Sequence, residues 1–206
     1  MRRNPEWKWK FGNLSSALPQ CTIEVDDVGL LEGARQGDAD AFSRLFGRHQ
    51  GQIYRYAAHM CGPDAADDVV QETFLAVLRR SGQYDPARGP VVNYLFGIAR
   101  HCVLRRLTSK YDAGVTISER DQDLGAIELD APTVLDSLTR AETIETVRAA
   151  IATLPPVYRE AVVLCELQEM SYEAAAGVVQ CPIGTIRSRL HRAKAMLVAK
   201  LSGIQP

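Results

Sequence analysis

Four polar side chains near the C-terminus fall on one arc of a predicted helix and have the chemistry to bind DNA. The opposite stripe of that helix is apolar and consists of Ile186, Leu190, Ala193, Leu197 and Leu201. From residue 182 to 206 the chain has five Lys or Arg residues and no Asp or Glu, so this segment attracts phosphate. Guanidinium, hydroxyl and imidazole groups can hydrogen-bond to base edges in the major groove. The candidate base-contacting residues are Arg187, Ser188, His191 and Arg192.

The residues before this helix complete a predicted helix-turn-helix. A short helix begins at about Ser171, and Cys181 and Pro182 lie in the turn before the basic helix. Further upstream, Leu154-Pro155-Pro156 predicts a helix end followed by a restart with proline in the first turn. The restarted helix is predicted to end at Leu167 and to pack through Val157, Ala161, Leu164 and Cys165.

A second group of polar side chains lies on a long amphipathic helix predicted over residues 64–80. Asp68 and Glu72 are like charges four residues apart, which costs roughly a few tenths of a kcal/mol unless a basic group lies against them. A basic partner surface would offset this cost. A solvated acidic face relieved by Arg79 explains the same pattern, and this helix alone leaves both interpretations open. The predicted buried stripe is Val70, Phe74, Val77 and Leu78, and the predicted outward residues are Asp68, Gln71, Glu72 and Leu75.

Helical periodicity dominates the chain, so the predicted fold class is all-α. Residues 26–111 form the first helical domain, with helices over 38–49, 53–60, 64–80 and 91–107 and a turn-rich loop over 84–90. Residues 112–139 are predicted to be a flexible linker, because nine acids face two arginines between residues 112 and 145. Residues 140–206 form the second helical domain, and residues 1–25 an N-terminal arm.

Composition excludes several classes of protein. The chain has 206 residues, 46% of them hydrophobic and 24% charged, which is ordinary for a globular protein. No apolar run is long enough to span a membrane, and the N-terminus lacks the centre of a signal peptide, so a cytoplasmic location without membrane insertion is expected. No motif of a serine hydrolase, phosphate-binding loop or zinc protease occurs, which predicts no enzymatic activity, no catalytic residues and no cofactor.

Five widely spaced cysteines argue against a disulfide framework or a zinc ribbon. The pairs His59 with Cys61 and His101 with Cys102 could be metal ligands, but no set of four ligands has a recognisable spacing. Ordinary packing in apolar-periodic segments is the favoured interpretation, and no metal site is predicted.

Two separate sets of motifs resemble one protein family. The first set is Asp64-Ala65-Ala66-Asp67-Asp68-Val69-Val70-Gln71-Glu72-Thr73-Phe74, then Tyr84-Asp85-Pro86-Ala87-Arg88-Gly89 and Tyr94-Leu95-Phe96-Gly97-Ile98-Ala99-Arg100. It resembles the second sigma domain of bacterial RNA polymerase sigma factors of the extracytoplasmic function (ECF) group. Leu154-Pro155-Pro156-Val157-Tyr158-Arg159, Ser171-Tyr172-Glu173 and Gly184-Thr185-Ile186-Arg187-Ser188-Arg189-Leu190 resemble their fourth sigma domain. The two sets occur in the family's order.

The resemblance implies a function in transcription initiation and a role for each surface. The acidic helix would bind the β′ clamp helices of core RNA polymerase through Asp67, Asp68, Gln71 and Glu72. The β flap of the polymerase would be a further contact of the chain. The exposed arc of the basic helix would read the minus-thirty-five element. The loop over 84–93 and the helix after it would capture the opened strand of the minus-ten element, where planar and cationic groups suit single-stranded DNA. The implied residues are Arg88, Asn93, Tyr94, Arg100, His101 and Arg105.

The chain departs from the family pattern at a few positions. Tryptophan is frequent in the family where this chain has Leu78 and Tyr94, so the implied stacking surface is smaller or differently placed. Gln180 stands where glycine is common, which predicts a slightly altered turn in the helix-turn-helix. His191 lies at a position that varies, so it would tune which promoter is read.

Two other functions compete with a sigma factor. A stand-alone helix-turn-helix regulator would bind operators as a dimer, but it leaves the acidic helix and loop of the first domain unexplained. A decoy for an anti-sigma factor would keep the fold without DNA binding, and the retained Arg187 and Arg192 argue against it. The resemblance also implies an inhibitory anti-sigma factor placed between the two domains, with the linker permitting the movement.

Overall fold

The structure is a computed structural model that describes residues 26–79, 84–111 and 140–202. In these ranges all regular structure is helical, which confirms the predicted all-α class. The predicted arm over 1–25 and the predicted linker over 112–139 lie outside the described residues. The helices are α1 (Asp27–Arg35), α2 (Ala39–Cys61), α3 (Pro63–Arg79), a 3-10 turn (Pro86–Arg88), α4 (Val91–Tyr111), α5 (Arg140–Ala152), α6 (Pro156–Val162), a π-helical turn (Val163–Leu167), α7 (Tyr172–Val179) and α8 (Ile183–Ser202).

Helices α1 to α4 form the first bundle. The carboxylates of Asp26 and Asp38 accept hydrogen bonds of 2.8 to 3.1 Å from backbone N–H groups in the first turns of α1 and α2. Both helices therefore begin where a side chain satisfies donors that would otherwise lack partners. In the core, the ring of Phe74 meets those of Phe42 and Phe46 edge-on, with centroids 6.2 and 4.8 Å apart.

Residues 39–61 form one helix, whereas the sequence predicts two, over 38–49 and 53–60. The prediction is wrong because the buried stripe continues through His49, which lies between Leu45 and Ile53 and is only 7% exposed. A polar residue in the stripe hides its continuity from a count of apolar positions. One nitrogen of the imidazole, Nε2, lies 2.9 Å from the carboxylate of Asp27 in α1.

The third helix differs from its prediction at its first residue and at Leu78. It begins at Pro63, one residue before the predicted start, after Gly62 with a φ of +93°. Val70, Phe74 and Val77 are buried as predicted, but Leu78 is 37% exposed. The buried face instead includes Thr73, whose hydroxyl donates to the carbonyl of the residue four positions earlier at 2.7 Å and so needs no water.

The second domain begins with α5 and α6. The predicted stop and restart are confirmed, because α5 ends at Ala152 and α6 begins at Pro156. The restarted helix stays α-helical only to Val162 and continues as a π-helical turn. Ala161 and Leu164 are buried as predicted, whereas Val157 is 37% exposed, which contradicts its predicted packing.

The two domains pack directly against each other. Helix α4 of the first domain contacts α7, and α2 contacts α5 and α6. A single cluster of buried apolar residues contains members of both domains, such as Leu95 and Val163. The contact places α7 of the second domain against α4, the helix that carries most of the predicted strand-contacting residues.

Candidate nucleic-acid and partner interfaces

The four candidate base-contacting residues share one accessible surface of α8. Ile186, Leu190 and Ala193 are at most 3% exposed and fix the helix to its own domain. This orientation follows from the helical period alone, because the buried stripe occupies the opposite side. The exposed residues are Arg187, Ser188, His191 and Arg192.

The turn before α8 keeps the left-handed conformation in which glycine is common, whereas Gln180 predicts a slightly altered turn. Gln180 is left-handed, with φ 60° and ψ 48°, at a position where glycine would carry no strain. Its side-chain amide donates to the carbonyl of Gly177 at 2.5 Å, which offsets part of that strain. At the other end of α7, the hydroxyl of Ser171 accepts a hydrogen bond from the N–H of Ala174 at 3.1 Å. The turn is therefore retained without glycine.

The acidic side of α3 has both exposed side chains and one carboxylate that is ion-paired within the chain. Asp67, Asp68 and Gln71 are exposed, whereas Glu72 is half-buried. Both Arg105 and Arg106 of α4 form ion pairs with Glu72, and Arg106 donates to its carboxylate at 2.7 Å. The hydrogen bond from Arg106 is the main reason that the pKa of Glu72 lies below its usual range.

Arg106 was missed by sequence reasoning, which proposed Arg79 as the basic group near the acidic pair. The guanidinium of Arg106 also lies 3.7 Å from the carboxylate of Asp68. It is 34 residues from Glu72 in sequence, so helical spacing within α3 carries no signal of it. The like charges of Asp68 and Glu72 are thus relieved within the chain.

The loop before α4 exposes the candidate residue Arg88, and its Tyr84 contacts a second candidate, Tyr94. Arg88 is 86% exposed, 3.7 Å from the carboxylate of Asp85. Tyr84 donates to the carbonyl of Gly89 at 3.1 Å and places its ring 5.7 Å from that of Tyr94. Gly89 has a φ of +118°, and a Cβ there would lie 3.1 Å from the amide nitrogen of Asn93, so glycine is required.

Tyr94 also binds a residue that the sequence did not suggest. Arg35, at the end of α1, lies 5.8 Å from the centroid of the Tyr94 ring and donates to its hydroxyl at 3.4 Å. Tyr94 therefore has two neighbours, the ring of Tyr84, inclined at 62° to its own, and the guanidinium of Arg35.

The candidates on α4 are divided between two faces. Tyr94, His101 and Arg105 are separated by seven and four residues and share one side, and Asn93 and Arg100 share the neighbouring side. The structure therefore does not align them as the single cationic track that strand capture implies. His101 is exposed, and Arg105 is 61% exposed beside Glu72.

Arg100 faces the second domain. Its Nε donates to a carboxylate oxygen of Glu160 on α6 at 3.0 Å, and its side chain is 23% exposed. The hydroxyl of Tyr56 on α2 donates to the same oxygen at 2.9 Å. Burial raises the pKa of Tyr56 well above its ordinary value, and the negative charge of Glu160 raises it further, so the phenol remains a donor. Sequence reasoning assigned no function to Tyr56 or Glu160.

Comparison with known proteins matches both domains to one family. Residues 45–111 match Sigma-70 region 2, and residues 144–197 match Sigma-70, region 4. The chain is 34% identical over 176 residues to the ECF RNA polymerase sigma factor SigC of Mycobacterium tuberculosis, covering 84% of this chain and 89% of the relative. It is 29% identical over 185 residues to the ECF RNA polymerase sigma-E factor of Haemophilus influenzae, covering 86% and 96%.

The chain belongs to the ECF family of RNA polymerase sigma factors. The resemblance drawn from the sequence motifs is thereby confirmed. The fold agrees, since CnrH, solved in complex with the cytosolic domain of CnrY, is similar with a TM-score of 0.63 and 26% identity over 87% of this chain and 99% of that chain.

As a sigma factor, the protein directs RNA polymerase in transcription initiation. A stand-alone regulator with one helix-turn-helix is not favoured, because region 2 matches independently of region 4. Members of this family are in general not enzymes. Over residues 26–79, 84–111 and 140–202, none of the sigma factor's helices has the length and apolar character needed to cross a membrane.

The sigma factor's cysteines pack as small side chains in the described ranges. Cys102 is buried, and burial is the main cause that raises the pKa of its thiol. Cys61 donates to the carbonyl of Ala57 at 3.1 Å. In the part of the chain that the structure describes, no group of three His, Cys, Asp or Glu residues lies close enough together to hold a metal ion.

Proposed function

We propose that this sigma factor reads the minus-thirty-five promoter element with the exposed arc of α8. The observation that carries the proposal is the alignment of Arg187, Ser188, His191 and Arg192 on one accessible side of a helix whose other side is buried. Two guanidinium groups of this arc suit bidentate contacts with guanine, and the hydroxyl and imidazole suit contacts with neighbouring bases. His191, exposed in the middle of the arc, is the candidate for tuning promoter choice.

The acidic face of α3 is the proposed docking surface for the β′ clamp helices of core polymerase. Asp67, Asp68 and Gln71 support this role because they are exposed on one helix. Glu72 contributes to docking indirectly, because its ion pairs hold Arg105 and Arg106 beside the docking face. Leu75 is 47% exposed on the same helix and adds apolar contact area. The second domain is proposed to contact the β flap.

The N-terminal half of α4 and the loop before it are the proposed site for the opened minus-ten strand. The cluster of Tyr84, Tyr94 and Arg35 supports this role, because planar groups receive unstacked bases. Asn93 precedes Tyr94 in the sequence and offers hydrogen bonds to a flipped base. The proposed strand-contacting residues are Arg88, Asn93, Tyr94, Arg100, His101 and Arg105.

Regulation by an anti-sigma factor is part of this proposal. CnrH, the similar sigma factor, was solved in complex with the cytosolic domain of CnrY. We infer that an anti-sigma factor binds this chain across the domains at 26–111 and 140–206, with residues 112–139 as the linker between them. The protein would act in the cytoplasm, without a cofactor and without covalent chemistry of its own.

Reconstituted transcription tests the proposal. Purified chain and core polymerase are incubated with genomic DNA, and transcript 5′ ends that depend on the chain are mapped. We expect a small set of start sites with a shared upstream element, and loss of these transcripts with Arg187→Ala. Duplex DNA binding by the chain alone, without chain-dependent transcripts, would support the stand-alone regulator instead.

A further inference from the structure

The second domain covers part of the surface proposed to capture the minus-ten strand. Asn93 and Phe96 of α4 face a cleft whose opposite wall is Gln168, Glu169 and Met170 of the second domain. Seven residues after Asn93, about two turns further along the same side of α4, Arg100 is bound by Glu160. Two of the proposed strand-contacting residues therefore face protein in this arrangement.

The Glu160 carboxylate occupies the position of an anionic ligand for Arg100. A guanidinium binds a carboxylate and a phosphate with the same planar hydrogen-bonding groups, so the two compete for it. Glu160 is only 3% exposed and Tyr56 is fully buried, which makes the contact strong and dependent on closure of the two domains. An exposed ion pair would dissociate readily, but this one is shielded from water.

A second polar contact holds the same interface. The guanidinium of Arg159, next to Glu160 in sequence, donates to the carbonyl of Met60 at the end of α2 at 3.2 Å. It also donates to the carbonyl of Leu154 in its own domain at 3.0 Å. Arg159 thus satisfies a helix C-terminus of the first domain while remaining tied to the second.

We propose that Glu160 is an autoinhibitory latch, which keeps the free sigma factor closed by binding Arg100 and Tyr56 and so masks the strand-capture surface until the two domains separate. The latch rests on the proposed function of α4. Only the open fraction of the chain binds single-stranded DNA, so closure lowers the apparent affinity by that fraction. The latch includes separation of the two domains on docking to core polymerase, which would release Arg100 at the place where the strand arrives.

The latch is tested with the full chain in the absence of polymerase. Glu160→Gln keeps the shape of the side chain and removes its charge, and Tyr56→Phe removes one hydrogen bond with little change in volume. The matched control is Glu166→Gln, because Glu166 pairs with Lys194 at 2.9 Å within the second domain. Small-angle scattering reports closure, and fluorescence anisotropy reports binding of a labelled single-stranded oligonucleotide that carries the minus-ten sequence.

We expect Glu160→Gln to increase the radius of gyration and to bind the oligonucleotide about tenfold more tightly than wild type, with a smaller gain for Tyr56→Phe. The control should match wild type in both measurements. Circular dichroism verifies that each variant is folded. An unchanged radius of gyration in folded Glu160→Gln would overturn the latch.

Failure of the latch is separable from failure of the proposed function. Asn93→Ala with Tyr94→Ala is assayed for promoter opening in the holoenzyme, which does not depend on the latch. If that variant opens promoters poorly while Glu160→Gln gains no affinity for the oligonucleotide, the latch is wrong and the strand-capture assignment stands. If the double variant opens promoters normally, the strand-capture assignment is wrong, and the masking function falls with it.

Discussion

The two candidate DNA-binding surfaces of this sigma factor differ in how they are built. On α8, the exposed arc is set by one helix and its buried stripe, and Arg192 of this arc donates to the hydroxyl of Tyr158 on α6 at 3.5 Å. On α4, Tyr94 is bound by Arg35 of α1, Arg105 by Glu72 of α3 and Arg100 by Glu160 of α6. In the proposed function the duplex-reading surface is therefore largely preformed, whereas the strand-capture surface depends on tertiary contacts that have to rearrange.

This difference has a physical reason. A recognition helix meets duplex DNA with its bases already paired, so it needs only an accessible surface in the correct orientation. A strand-capture site holds cationic and aromatic groups that are costly to leave unsatisfied near a buried interface. Internal partners satisfy them until a strand replaces those partners.

The largest expected effect is on α8. Arg187→Ala should cost about 1–3 kcal/mol in holoenzyme binding to the upstream element, because a bidentate base contact is lost. Since the surface is preformed, the free energy of unfolding should remain within about 0.5 kcal/mol of wild type. Competition binding on upstream elements of different sequence measures the effect, with Lys200→Ala on the same helix as the control. Equal loss on all sequences would reassign Arg187 to a phosphate contact.

A somewhat smaller effect is expected on the acidic face of α3. Reversing both exposed charges, with Asp67→Lys and Asp68→Lys, should weaken binding to core polymerase by about tenfold and reduce its salt dependence. Glu72 is left unchanged so that its bonds to Arg105 and Arg106 persist. Titration of labelled core polymerase measures the affinity, and Glu32→Lys on α1 is an exposed control. An affinity equal to that of wild type would exclude this face from docking.

The smallest expected effect concerns pH and the contact between the domains. Burial lowers the pKa of His59 on α2, and the nearby guanidinium of Arg148 on α5 lowers it further. The unfolded chain therefore takes up the proton more readily than the folded chain, so stability is complete above the ordinary pKa of about 6.5 and declines as pH falls through it.

Chemical denaturation at pH 8 and pH 5.5 isolates this contribution. We expect wild type to lose more stability on acidification than His59→Gln, by at most about half a kcal/mol because the side chain is partly exposed to water. An identical pH dependence of the two proteins would show that His59 titrates as it does in the unfolded chain.

The same difference in construction explains what could be read from the sequence. The arc of α8 and the exposed acids Asp67 and Asp68 of α3 follow from local helical periodicity, and the structure exposes them as predicted. Glu160 is 60 residues from Arg100 and 104 from Tyr56, so no local pattern reveals that contact. Burial of a charged residue such as Glu160 depends on partners from the other domain, which helical periodicity does not show.

The errors at helix level have the same origin. The division of α2 into two predicted helices fails because His49 is buried in the stripe, where its Nε2 lies 2.9 Å from the carboxylate of Asp27 of another helix. Leu78 and Val157 were assigned to the core by their apolar character, but each is 37% exposed. Two polar side chains are buried on the same helices: Thr73 bonds within α3, and Glu160 of α6 accepts from Tyr56 of α2.

The most direct test of the central claim is permanganate footprinting of unpaired thymines in holoenzyme complexes. With Asn93→Ala and Tyr94→Ala combined, we expect polymerase recruitment and closed-complex binding to stay near wild type. Reactive thymines at the minus-ten element should decrease on duplex promoter and be partly restored on a template melted beforehand, because the strand then needs no extraction from the stack. Full thymine reactivity of the double variant on duplex promoter would contradict the assignment of strand capture to the N-terminal half of α4.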